Sequence, residues 1–171
     1  MDQLWAPWRA AYVTAPKLPG QNDACFICEA LARKEDRANL LLLRSDHAVV
    51  MLNRFPYNNG HLLVAPASHK ARLDELTDSE ILGTQHLLRR MIDALGQTMH
   101  PDGYNVGLNL GKAAGAGLPG HLHWHIVPRW SGDTNFMSVL TDTRIIVQSL
   151  DALYDLLSRQ LTTPGLPGGG A

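Results

Sequence analysis

Apolar and polar residues change period several times along the chain, and each change marks a different element. Residues 40–43 and 48–52 are apolar, β-prone runs split by the polar turn Arg44, Ser45 and Asp46, the pattern of a hairpin. A second turn, from Pro56 to Gly60, leads into residues 61–65, a short apolar strand closed by Pro66. Thr77 and Glu80 make a T-x-x-E capping box, after which Ile81, Leu88, Ile92, Leu95 and Met99 recur at helical spacing. Arg89, Arg90, Asp93 and Gln97 fall largely on the other face, and this helix is expected to stop before Pro101 and Gly103. Residues 104–110 and 121–128 read as two more strands, joined by a stretch holding Gly111, Gly115, Gly117 and Gly120. Residues 29–36 suit a short helix, and residues 151–161 a C-terminal one with Leu153, Leu156, Leu157 and Leu161 on its apolar face. Strands, a long helix, then strands again predict an α+β fold, an antiparallel sheet with helices on one face.

The flanks add little regular structure. Trp5, Pro7, Trp8, Tyr12, Pro16, Pro19 and Gly20 describe an irregular arm anchored by its aromatics, and residues 164–171 a flexible glycine-proline tail. A length of 171 residues fits one domain over residues 1–163 rather than two. At 45% hydrophobic, 18% charged and a formal net charge of -1, the chain has no polybasic or polyacidic block. Bulk attraction to nucleic acid or a membrane surface is therefore not expected. No window approaches the roughly 18 apolar residues of a membrane span, and the start lacks the features of a signal peptide. A cytoplasmic enzyme is the expectation.

Chemistry concentrates in GHLHWHIVPRW. Period-two geometry puts His121, His123, His125 and Val127 on one face of a strand and Leu122, Trp124 and Ile126 on the core face. At a rise of about 3.3 Å per residue, alternate imidazoles stand roughly 6.6 Å apart and line a groove. Burying such a row costs desolvation unless each ring has a partner, which argues for function over packing. Two chemistries suit alternating histidines: joint ligation of a metal, or one nucleophilic imidazole whose neighbours handle substrate charge. The loop glycines let backbone N–H groups approach a ligand closely, as in phosphate-binding nests, which favours a phosphate substrate. Cys25 and Cys28, the two cysteines, have a C-x-x-C spacing that favours metal or redox chemistry over a structural disulfide in a cytosolic chain.

His121, His123 and His125 followed by Ile126 and Val127 match the alternating signature of the histidine triad family, which the chain resembles over about residues 25–130. Asn53, Gly60 and His61 in LNRFPYNNGHLLVAPASH resemble the family's upstream strand, turn and strand. WAPWRAAYV, the cysteine pair and PRWSGDTNF are similar to a bacterial subgroup that includes diadenosine tetraphosphate phosphorylases. The resemblance implies a five-stranded antiparallel sheet with flanking helices, commonly extended across a homodimer. It implies that His123 attacks an α-phosphorus to give a nucleotidyl-histidine, with His125 against the phosphates, Asn53 near the ribose, and His61 supporting the row. Asn109, Gly115 and Gly117 would face phosphate oxygens. Plainer readings of these residues are a turn cap for Asn53, a capped strand end for Asn109 and a packed ring for His61.

Many relatives carry a polar side chain where this chain has Gly117, so backbone N–H groups or Lys112 would have to substitute. Some members bind zinc through positions equivalent to Cys25, Cys28, His69 and His121, a complete tetrahedral set that would be structural. The implied activity is cleavage of dinucleoside polyphosphates, with phosphorolysis of diadenosine tetraphosphate favoured. Hydrolysis of nucleoside phosphoramidates or other nucleotide conjugates is the enzymatic alternative. A metal-dependent hydrolase and a non-catalytic adenine-nucleotide-binding module are alternatives of other classes.

Overall fold

A computed structural model describes residues 25–133 and 146–162. The aromatic arm and the tail lie outside the described residues. Five strands, β1 (Leu41–Arg44), β2 (Ala48–Leu52), β3 (Leu62–Pro66), β4 (Gly103–Leu108) and β5 (Trp124–Arg129), form one antiparallel sheet in the order β1-β2-β3-β5-β4. The helices are α1 (Phe26–Ala32), α2 (Asp78–Met99) and α3 (Leu150–Thr162). The expected α+β fold with a five-stranded antiparallel sheet is present.

The sheet is covered on both faces, a correction to the one-sided arrangement expected. Alternation along β2 and β3 sends Ala48, Val50, Leu52, Leu62 and Val64 to a core with Leu87, Leu88, Met91 and Leu95 of α2 and Leu153 and Leu157 of α3. The opposite set, Val49, Met51, Leu63 and Ala65, packs on Ile27 and Ala30 of α1. This explains why β2 and β3 are apolar at every position: both of their faces are buried.

Several boundaries move for local reasons. Helix α1 runs earlier than residues 29–36 because the Cys25 side chain accepts from the Cys28 N–H at 3.4 Å and so caps its start. Arg44 stops it, its guanidinium donating to the carbonyls of Ala30, Leu31 and Arg33. Strand β1 begins at Leu41 because Leu40 sits in the left-handed region at φ 58°. Strand β4 ends at Leu108, two residues short of the expectation, and β5 begins only at Trp124. The ladder runs out at the Leu108–Trp124 pair, and the Leu122 N–H donates instead to the Lys70 carbonyl at 2.7 Å.

The capping box of α2 forms as expected, but Ile81, expected in the core, is 37% exposed. Glu80, Thr84, Leu87, Leu88 and Met91 occupy the buried stripe instead. Gly60, at φ +77°, holds the turn before β3 where a Cβ would stand 2.9 Å from Pro128. That close approach fixes the turn against β5 and so fixes where His61 enters the sheet.

Candidate active site and metal centre

His121 and His123 lie on the segment leading into β5 and His125 lies within it, so the expected single strand carrying all three is corrected. Leu122, Trp124 and Ile126 do face the core. The three rings do not form one row. His121, with no exposed surface, turns toward the cysteines, while His123 and His125 face a cavity of about 1250 Å³.

Asn53, Asn109, Gly115, Gly117, His123 and His125 line that cavity. His61 stands behind them, its Nε2 2.9 Å from His125 Nδ1. Asn53 takes the plainer reading, a turn cap: its Oδ1 accepts from the Phe55 N–H at 2.9 Å, while its amide nitrogen lies 3.2 Å from His61 Nδ1. In the glycine loop, the Gly115 and Ala116 N–H groups donate to the carbonyls of Lys112 and Gly111. Lys112 is exposed and does not line the cavity.

The hydrogen bonds assign each tautomer. His123 Nδ1 lies 2.8 Å from the His121 carbonyl, which can only accept, so Nδ1 carries the proton and Nε2 keeps its lone pair. The Tyr57 N–H donates to His61 Nδ1 at 3.0 Å, which leaves the proton on His61 Nε2 to donate to His125 Nδ1. His125 Nε2 is then the protonated nitrogen; it is buried at the cavity wall with no hydrogen-bond partner among the described residues. Desolvation pushes His123 below the ordinary imidazole range, against the opposing bond to the His121 carbonyl. Desolvation, reinforced by His123, lowers His125 to about 4. Both rings are therefore neutral at neutral pH, with a bare nitrogen on His123 and an N–H on His125.

In the sequence Tyr57 reads only as part of a turn. It stacks on His61 with ring centroids 4.7 Å apart and approaches His125 at 5.9 Å, and its backbone sets the tautomer relay. Its place four residues before His61, in a turn closed by glycine, was the available signal. Phe26 and the 73%-exposed Phe55 also line the cavity, adding aromatic surface that no periodicity marks.

The HIT domain family matches residues 34–132. The chain belongs to the HIT domain family. It is 34% identical over 164 residues to an AP-4-A phosphorylase from Mycobacterium tuberculosis, covering 94% of this chain and 84% of that protein. An adenosine 5'-monophosphoramidase from Schizosaccharomyces pombe is 30% identical over 106 residues, covering 62% of this chain and 74% of the relative. Both named relatives are nucleotide-processing enzymes of the family. A zinc-bound histidine triad family protein from Mycobacterium smegmatis superposes with a TM-score of 0.64 at 25% identity, covering 81% of this chain and 93% of that one.

In this HIT protein the four residues Cys25, Cys28, His69 and His121 bring one ligand atom each within 4.8 Å of one another. Cys25 Sγ lies 3.1 Å and Cys28 Sγ 3.5 Å from His121 Nδ1, and Cys28 Sγ lies 3.3 Å from His69 Nδ1. These separations suit the edges of a tetrahedron built with metal–ligand bonds of about 2.0–2.3 Å. His121 Nε2 donates to the Pro66 carbonyl at 2.9 Å, which leaves Nδ1 as the donor atom. Burial and the neighbouring Cys25 push the Cys28 thiol up to about 11, so it is protonated at neutral pH and a divalent cation bound there would displace the proton. The donor set fits zinc. A Cβ added at Gly120 would stand 3.5 Å from His69 Nε2, an ordinary van der Waals contact.

Proposed function

We propose that this protein transfers a nucleotidyl group from a dinucleoside polyphosphate, with diadenosine tetraphosphate the favoured substrate and inorganic phosphate the favoured acceptor. The tautomer of His123 carries the reading: its Nδ1 proton is held by the His121 carbonyl, so the lone pair of Nε2 is available at the cavity wall. That lone pair attacks the α-phosphorus, a P–N bond forms, and the bond from phosphorus to the bridging oxygen breaks, releasing ATP. Phosphate then attacks the same phosphorus, the P–N bond breaks, and ADP leaves with His123 restored.

His125 donates its Nε2 proton to a phosphate oxygen, where negative charge grows. Gly117 offers a backbone N–H with no acceptor among the described residues, which favours backbone over Lys112 as the substitute for the missing polar side chain. Asn53 approaches the ribose, and Asn109 and Gly115 border the phosphates. The likeness to the mycobacterial AP-4-A phosphorylase supports phosphorolysis. The fission yeast phosphoramidase favours a second reading, release of an amine from a nucleoside phosphoramidate by the same residues.

Cys25, Cys28, His69 and His121 would hold a zinc ion that is structural, since four protein donors complete the tetrahedron. We further place the chain in the cytoplasm as a homodimer.

Diadenosine tetraphosphate incubated with the purified protein, with and without phosphate, distinguishes these outcomes. ADP plus ATP formed only with phosphate is expected, and His123→Ala should abolish it, by at least about a thousandfold. AMP plus ATP without phosphate would make the enzyme a hydrolase. Turnover that survives His123→Ala would overturn the covalent route.

A further inference from the structure

We propose that Glu80, at the start of α2, is a positioning residue for the metal centre, holding the loop that presents His69. The inference rests on the zinc reading above. Glu80 is 8% exposed and sits outside both the cavity and the ligand set. Its contacts with Thr77, whose N–H and hydroxyl donate to Oε2 at 2.8 and 2.9 Å, are those of an ordinary helix cap. Two further contacts are not. The Ser68 hydroxyl donates to Oε1, and Lys70 Nζ donates to Oε2 at 2.7 Å. These residues flank His69 on either side, so one buried carboxylate grips the ligand loop at both shoulders.

The same loop holds His121. The Pro66 carbonyl receives His121 Nε2–H, and the Lys70 carbonyl receives the N–H of Leu122. Residues 66–70 thus supply one ligand themselves and fix the ring and backbone of another, and Ser68 and Lys70 hydrogen-bond to α2 through Glu80. A carboxylate is suited to this because it accepts several bonds at once, including a charge-assisted one from lysine. Zinc ligands within hydrogen-bonded frames lose affinity when the frame is cut, typically by about 10–100-fold.

Zinc affinity of the full chain, stripped of metal and titrated with zinc alone against a chromophoric chelator, tests the proposal. Glu80→Gln should keep the fold by circular dichroism but weaken zinc binding by about tenfold. Thr77→Ala removes the cap hydroxyl yet leaves the grip on Ser68 and Lys70; it should lower thermal stability while holding zinc affinity within about twofold of wild type. Ser68→Ala, the milder cut, should weaken zinc binding in the same direction if Glu80→Gln folds poorly. Wild-type affinity in both Glu80→Gln and Ser68→Ala overturns the role of Glu80 and leaves the metal site standing. A wild-type protein that takes up no zinc overturns both together.

Discussion

His125 is held between His61 and the cavity wall, and its depressed pKa of about 4 has a thermodynamic consequence. In the unfolded chain this imidazole titrates near its ordinary value of about 6.5. Between the two values the unfolded state binds the extra proton, so stability rises with pH through that window and is lost as pH falls from about 6.5 toward 4. Chemical denaturation should therefore show a loss from pH 7 to pH 5 that is larger in wild type than in His125→Gln, by about 2 kcal/mol. Equal pH slopes in the two proteins would mean that His125 titrates normally in the fold. The structural counterpart is that His125 stays neutral, with its proton on Nε2, across the physiological range, oriented by His61 and the Tyr57 backbone.

At the scale of elements, α1 is the least self-sufficient part of the described fold. It has seven residues, too few to hold a helix in water unaided, and its two cysteines stand at its start. Arg44 of β1 secures the other end through three carbonyls and pairs with Asp36. Arg44→Ala should cost about 1.5–3 kcal/mol of stability, the range for hydrogen bonds to a charged group. Hydrogen exchange should accelerate in α1 while the amides of α2 keep their protection, and uniform acceleration would argue against a local anchor. By contrast α2 has its own capping box and 22 residues, which is why its bounds were readable directly. The bounds of α1 are not legible in the sequence because its start depends on a cysteine cap and its end on an arginine from a strand, neither of which leaves a local pattern.

Across the whole molecule, the Cys25, Cys28, His69 and His121 cluster and the cavity lie on either side of one short segment. His121 offers its ring to the cysteines and its backbone carbonyl to His123. A bound zinc would thus tie α1, the loop after β3 and the entry to β5 together, and its removal should loosen all three. With zinc a thousandfold above its dissociation constant, chelation should cost about 4 kcal/mol, a fall in Tm of roughly 10 °C. Cys28→Ser should show the lower Tm without chelator; a Tm indifferent to both treatments would remove the metal from the fold's energetics.

The sequence by itself determined the strand and helix content, the capped long helix, the core face of the histidine segment and the residues with chemistry to offer, because periodicity and capping are local properties. Tertiary structure alone decided that the three histidines part company. Leu122 bonds to Lys70 instead of continuing the ladder, so His121 goes to the cysteines and His123 and His125 go to the cavity. It also decided which nitrogen of each ring holds the proton, since the Pro66 and His121 carbonyls and the Tyr57 amide reach the rings only through the folded chain. Alternation along a strand fixes which way a side chain starts, but its partners come from other strands and loops, and those partners set its charge and its chemistry.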